Sequence, residues 1–304
     1  MTQSTSQSTS YVATLIAAPG GLDTQALTRA RATLPGAGGP QWLGQATAAD
    51  IPFSPEAPAD QRALAAELRA LLDAPIDVVV QPTAHRRKKL FLADMDSTMI
   101  GQECIDELAD YAGLKAYVAA ITERAMRGDI AFEPALRERV ALLKDIPLPV
   151  IDEVLEQRIT LTPGARILVA TMRAHGTYTC LVSGGFTLFT NRVAAMVGFD
   201  ETRANTLEIA DEKLSGTVLE PIFGRESKRA SLIELRTRFG LAAADTMATG
   251  DGANDLDMIV EAGLGVAYHA KPKVAAAAPA RIEHGDLTAL LYVQGYKKDE
   301  FVEG

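Results

Sequence analysis

Two short acidic segments are placed to do chemistry. The first, LFLADMDST at 90–98, runs four apolar residues into Asp94, with Asp96 and two hydroxyls directly after it. An apolar strand has no structural use for two carboxylates at its end. At the carboxyl edge of a sheet they become metal ligands, or a nucleophile and an acid; the competing use is a turn or helix cap. The second, TGDGANDLD at 249–257, also follows a short apolar run. Gly250 and Gly252 permit tight turns. Asp251 and Asp255 can converge on one cation, with Asn254 as a neutral oxygen ligand or an orienting group. Oxygen ligands suit Mg2+, and the spacing does not fit the standard calcium loop.

Two further pieces suit an anion. In CLVSGGF at 180–186 an apolar strand ends in Ser183, Gly184 and Gly185. The backbone N–H groups of such a turn, helped by the Ser183 hydroxyl, can hold phosphate oxygens. Lys228 begins an amphipathic helix after Gly224. A lysine near a helix start opposes the dipole unless an anion compensates it. Any one of these pieces has an ordinary structural use. In combination, carboxylates, Mg2+, a phosphate nest and a cationic side chain make a phosphoryl-transfer site.

Strands and helices must carry these pieces to one place. Strand patterns cover 11–17, 76–80, 90–93, 178–182 and 246–248, and 42–53 holds one or two more; 167–170 is strand-like with helical ambiguity. Helical spacing covers 22–34, 61–72, 189–197 and 228–239. Strands alternating with helices after residue 88 imply a parallel α/β sheet. The wholly helical stretch at about 105–156 is then an insertion after the first strand of that sheet, a cap beside the strands' carboxyl ends, where such folds bind ligands. A hairpin is expected within 204–221, with Ser215-Gly216 between its alternating runs. Pro272 and Pro279 prevent one straight helix over 270–280. Residues 11–83 form a small α+β module. His85–Lys89, a basic run, reads as a solvated junction between the two domains, and residues 1–10 as a disordered polar tail.

The 304 residues exceed one usual domain, and 47% hydrophobic with 23% charged residues is ordinary for a globular protein. A net charge of −9 argues against nucleic-acid or anionic-membrane partners. No apolar run is long enough to span a membrane. The start lacks a secretory signal, and two cysteines make no disulfide scaffold, so a cytoplasmic location is expected.

With these motifs in order, the sequence resembles the haloacid dehalogenase superfamily of phosphatases, through DMDST at 94–98, SGGF at 183–186, Lys228 and GDGAND at 250–255. More narrowly it is similar to the phosphoserine phosphatases, through Glu103, the cap segment 132–145 and PGA at 163–165. The resemblance implies a Rossmann-like core with a helical cap over residues 88–304. It implies hydrolysis of L-phosphoserine, the last step of serine biosynthesis. Asp94 is then the nucleophile and Asp96 the general acid and base, with Ser183, Gly184 and Lys228 on the phosphoryl group. Mg2+ is held by Asp94, the Asp96 carbonyl and Asp251, and Asp255 supports it. Glu103 faces the substrate ammonium and Arg139 its carboxylate, while Met126, Phe132, Gly185 and Asn254 complete the substrate site. From helical spacing alone either Arg137 or Arg139 could be the clamp, and Glu103 could instead cap the first cap helix.

Residues 11–80 resemble the small ACT-like domains that precede some of these phosphatases. That implies a regulatory or dimerising unit, with the loop at Pro19-Gly20-Gly21-Leu22 as the place for a small amino-acid ligand or a homodimer contact.

Overall fold

The computed structural model describes residues 10–127 and 129–304. Most of the expected polar tail therefore lies outside the described residues. The chain opens with β1 (Tyr11–Ala17), α1 (Thr24–Thr33), β2 (Gln41–Gly44), β3 (Ala48–Phe53), α2 (Gln61–Leu72) and β4 (Ile76–Pro82). Asp23 and Asp60 cap the two helices by accepting from Ala26 N and Ala63 N. The four strands form an antiparallel sheet in the order β2-β3-β1-β4, a split βαβ arrangement. Leu15, Ile51 and Val78 of the sheet pack with Leu27 and Leu68 of the helices.

The second unit follows as β5 (Leu90–Ala93), then α3 (Cys104–Tyr111), α4 (Lys115–Arg127), α5 (Phe132–Ala141) and α6 (Pro149–Gln157). Next come α7 (Ala165–Ala174), β6 (Tyr178–Phe186), α8 (Thr187–Val197), β7 (Glu201–Asn205), β8 (Leu207–Ala210) and β9 (Lys213–Val218). The chain ends through α9 (Arg225–Arg238), β10 (Thr246–Gly250), α10 (Leu256–Glu261), β11 (Leu264–Tyr268), α11 (Pro272–Ala277), β12 (Ala280–Ile282) and α12 (Ala289–Val293). The six-stranded sheet runs β12-β11-β10-β5-β6-β7, parallel throughout. This is an α/β core with a helical cap and an added small α+β region. β5, first in sequence, lies in the middle with β10 and β6 on either side. That is a topological switch point, where the strand ends open a crevice.

Three expectations are corrected. Residues 167–170 are helical, within α7. Ala165, Leu168, Val169 and Met172 are buried at helical spacing, and the strand-like run is one turn of that apolar face. The hairpin turns at Asp211-Glu212, both in the left-handed region at φ 50° and 59°, while Ser215-Gly216 lies inside β9. Two positive φ values suit the twist of a tight hairpin. The basic run is a solvated junction only in part: His85, Arg87 and Lys89 are exposed, whereas Arg86 and Lys88 turn inward. Arg86 donates to Asp50 through both terminal nitrogens, at 2.5 and 2.7 Å, to Thr14 Oγ1 at 2.7 Å and, through Nε, to Val293 O at 2.8 Å. Lys88 is buried and its ammonium donates to Ala244 O. Burial pushes the Lys88 pKa down to about 8, against the pull of Asp245. Asp77 adds to the seam by accepting from Glu283 N and Gly285 N, both at 2.7 Å.

The insertion after β5 is helical, and the β8–β9 hairpin joins it, with Pro147 bridging to Lys213. No helix of the described residues is long and apolar enough to cross a membrane.

Candidate active site

Buried apolar strands deliver the chemistry to one sheet edge. β5 is sealed along its whole length and releases the chain at Asp94. There the backbone doubles back, Ile100 N bonding Met95 O, with Ser97 in the left-handed region at φ 54°. β10 pairs with β5 in parallel and ends one residue before Asp251. β6, on the other side of β5, carries Ser183, Gly184 and Gly185 near its end. Lys228 enters from the first turn of α9, wholly buried.

Its ammonium lies 2.6 Å from Asp94 Oδ1 and 2.6 Å from Asp255 Oδ1. Burial works against that charge, but Asp255 and Asp94 outweigh it and hold the Lys228 pKa up. Asp94, Asp251 and Asp255 each place a carboxylate oxygen within 4.8 Å of the others. Burial, then Asp255, raise Asp94 well above the usual carboxylate range despite Lys228. Burial and Asp255 also push Asp251 up to about 7. Three buried carboxylates around one ammonium leave an excess of negative charge that a cation relieves.

The donor set fits Mg2+. Every candidate ligand is a hard oxygen, and the side-chain oxygen of Asn254, in the same loop, is sealed from solvent with no donor among the described residues. Asp255 is less free than Asp251. It takes Lys228 on one oxygen and Gly252 N, at 3.0 Å, on the other. Thr98 Oγ1 donates to Asp251 at 3.3 Å. Asp96 stands apart from the three. Its carboxylate accepts from Cys104 N at 2.8 Å and Ser183 Oγ at 3.0 Å, so toward an ion it has its backbone carbonyl to offer. Burial pushes the Asp96 carboxyl above its ordinary range, against the Cys104 and Ser183 hydrogen bonds and Lys228.

One cavity gathers these groups. Asp94, Asp96, Ser183, Gly184, Gly185 and Asn254 line it from the core, and Glu103, Ile105, Met126, Phe132, Leu136 and Arg139 from the cap side. The cap lies closed. A Cβ on Gly184 would come within 2.9 Å of the Phe132 ring, and one on Gly252 within 2.8 Å of the Met126 sulfur. Cap side chains thus rest directly on the loop backbone at both positions, and at Gly252 the Asn254 side-chain oxygen, closer still to such a Cβ, crowds the site further. Gly185 N donates to Ser183 Oγ at 2.8 Å.

Glu103 sits at the helix-cap position of α3 but makes no capping bond; it accepts from Ser97 Oγ at 2.6 Å. Burial, then Asp96, raise its pKa well above the usual carboxylate range. Arg139 is buried in the cavity wall, whereas Arg137 is on the surface, ion-paired with Glu220. Sequence reasoning missed Asp106 and Thr122, which stand behind Arg139. Thr122 shares the apolar face of α4 with Val118, Ile121 and Ala125, and a polar residue on such a face was the available signal.

A haloacid dehalogenase-like hydrolase family model matches residues 91–259. A phosphoserine phosphatase of Polaromonas sp. is 49% identical over 208 residues, which are 67% of this chain and 88% of that one. A solved phosphoserine phosphatase with a phospho-aspartyl intermediate analogue is 39% identical, with a TM-score of 0.65 over 68% of this chain and 98% of that one. A hydrolase of the same family from Salmonella enterica serovar Typhi matches both units, at 30% identity and a TM-score of 0.80 over 93% of this chain and 98% of that one. On the family model and the relatives together, the chain belongs to the haloacid dehalogenase-like hydrolases, in the phosphoserine phosphatase family.

Proposed function

We infer that the protein hydrolyses L-phosphoserine to L-serine and phosphate, with the phosphoryl group carried for one step on Asp94. One observation carries this reading: a single closed cavity holds a carboxylate pair, a phosphate nest, and a lone acid and arginine on the cap side. The last two match the ammonium and carboxylate that distinguish phosphoserine from a simple phosphate ester. Arginine suits the carboxylate because its planar fork engages two oxygens.

Asp94 attacks phosphorus, and the bond from phosphorus to the serine oxygen breaks. Asp96 gives its proton to that oxygen, because an alkoxide is a poor leaving group. Its raised pKa suits this role. Water then attacks the aspartyl-phosphate while Asp96 takes back a proton. Phosphate leaves and the Asp94 carboxylate is restored. Lys228 and the Ser183–Gly185 turn hold the phosphoryl oxygens through both steps. Asp94, Asp251 and the Asp96 carbonyl would hold Mg2+, with Asp255 in support, and the bound ion would supply positive charge against the repulsion between a carboxylate and a phosphate dianion. Phe132 and Met126 close the cavity and exclude bulk water.

For the rest of the chain we propose a first domain at 11–83, a phosphatase domain at 88–304 and a cap at about 105–156. The first domain acts as an ACT-like regulatory or dimerising unit, with the Pro19–Leu22 loop as its ligand or homodimer surface. The buried free thiols of Cys104 and Cys180 suit a reducing cytoplasm.

The test is phosphate release from L-phosphoserine with and without Mg2+, for the native chain and Asp94→Asn. We expect Mg2+-dependent release that Asp94→Asn lowers by at least about a thousandfold. Native release no greater than that of the folded variant would overturn the assignment.

A further inference from the structure

Arg139 is held from behind. Its Nε donates to Ala135 O of its own helix at 3.0 Å, and its Nη1 to Thr122 Oγ1 of α4, also at 3.0 Å. Thr122 Oγ1 lies 2.7 Å from Asp106 Oδ1 of α3 and 3.1 Å from Val118 O. A guanidinium only donates, so the Thr122 oxygen must accept from it and send its single proton elsewhere. The shorter contact, to a carboxylate, takes that proton. The chain of donation therefore runs from α5 to α4 to α3. Arg139 and Thr122 are 3% and 2% exposed, so no solvent replaces a lost partner without rearrangement.

This arrangement does two things for a clamp. It fixes a long side chain before substrate arrives, which removes an ordering cost from binding. It also brings the Asp106 carboxylate to Arg139 only through a neutral hydroxyl, so the guanidinium is oriented without being given a carboxylate of its own. Among the described residues, the hydrogen bonds of Arg139 use Nε and Nη1, which leaves Nη2 for a ligand.

We propose that Thr122, backed by Asp106, is the positioning residue that aims Arg139 at the substrate carboxylate and so sets the preference for phosphorylated amino acids over other small phosphate esters. This rests on the reading of Arg139 as the carboxylate clamp. Thr122→Val keeps the shape and removes the acceptor; Thr122→Ser keeps the acceptor.

The experiment measures kcat and KM of the full chain with Mg2+ on L-phosphoserine and on O-phosphoethanolamine, which has the ester and the amine but no carboxylate. For Thr122→Val the KM for L-phosphoserine rises about tenfold, the loss of one hydrogen bond to a charged group, with kcat within about twofold. The kcat/KM for phosphoethanolamine stays within about twofold of the native value, and Thr122→Ser restores the native KM. Equal losses on both substrates, or no loss on either, overturn the proposal. If circular dichroism shows Thr122→Val unfolded, Asp106→Asn decides, with a KM increase of about threefold confined to L-phosphoserine expected and an unselective or absent effect overturning it. A native enzyme with no preference for L-phosphoserine would remove the amino-acid substrate reading itself, and this proposal with it. A native preference that survives Thr122→Val removes this proposal alone.

Discussion

The catalytic cleft and the seam between the two sheets are both buried ionic networks built around one basic side chain, and they are balanced differently. At the seam, Arg86 meets one carboxylate, one hydroxyl and a backbone carbonyl, each within 2.8 Å, and Thr14 donates to the same Asp50 carboxylate. In the cleft, Lys228 stands between two carboxylates with a third close by. The seam is saturated and the cleft is left short of positive charge. A buried network that is complete in itself holds parts together; one that is incomplete in itself is waiting for a ligand. The cleft needs a cation and a phosphoryl group to balance, and the same deficit prevents it from contributing its full stability alone.

The comparison breaks most sharply at the two basic residues. Lys228→Met lowers kcat/KM for L-phosphoserine by roughly 10²–10³-fold, since it removes a preorganised charge from the phosphoryl group; steady-state phosphate release measures it. Arg86→Met leaves Asp50 buried without its ion-pair partner and costs about 3 kcal/mol of stability, read from urea denaturation, while kcat/KM stays within about twofold. A loss of turnover in folded Arg86→Met would show that the seam is part of the catalytic machinery and erase the contrast.

Titration sharpens it. Without metal, the raised Asp251 pKa contributes stability that is present below about pH 4 and is lost as pH rises through about 7. In chelator, therefore, the melting temperature falls between pH 5 and pH 8 by several degrees, and saturating Mg2+ removes the fall. A melting temperature that is flat over this window in chelator would count against a cation-hungry cluster. At Lys88, next to the seam but bonded within the second unit, the sign is opposite and the effect smaller. The Lys88 pKa is depressed to about 8, so its contribution is present above the unfolded-state value of 10.5 and is lost as pH falls through 8. Lys88→Met flattens the melting temperature between pH 8 and pH 10 by roughly 2 °C relative to the native chain, measured by differential scanning calorimetry.

The motif residues were legible because each ends an apolar strand or opens a helix, and a carboxylate there has few structural uses. Asp94, Asp96, Ser183 and Asp251 lie up to 157 residues apart in sequence and come together through the parallel pairing of β5 with β6 and β10, while α9, packed on that sheet, brings in Lys228. Residues 167–170 misled because a short β-branched and leucine-rich run fits one turn of a buried helix as well as a strand. The hairpin misled because glycine signals a turn, whereas Asp211 and Glu212 adopt positive φ without one.

The chemistry is legible from residue types and their order alone: which side chains are acids, which is the ammonium, and that strands alternating with helices must bring them to one edge. Tertiary packing separates Arg137 from Arg139, since both lie on one short helix and the packing of α4 against α5 buries one and exposes the other. It also turned part of a run of basic residues into a seam, because Arg86 finds Asp50, Thr14 and Val293 across distances in sequence that no local pattern encodes.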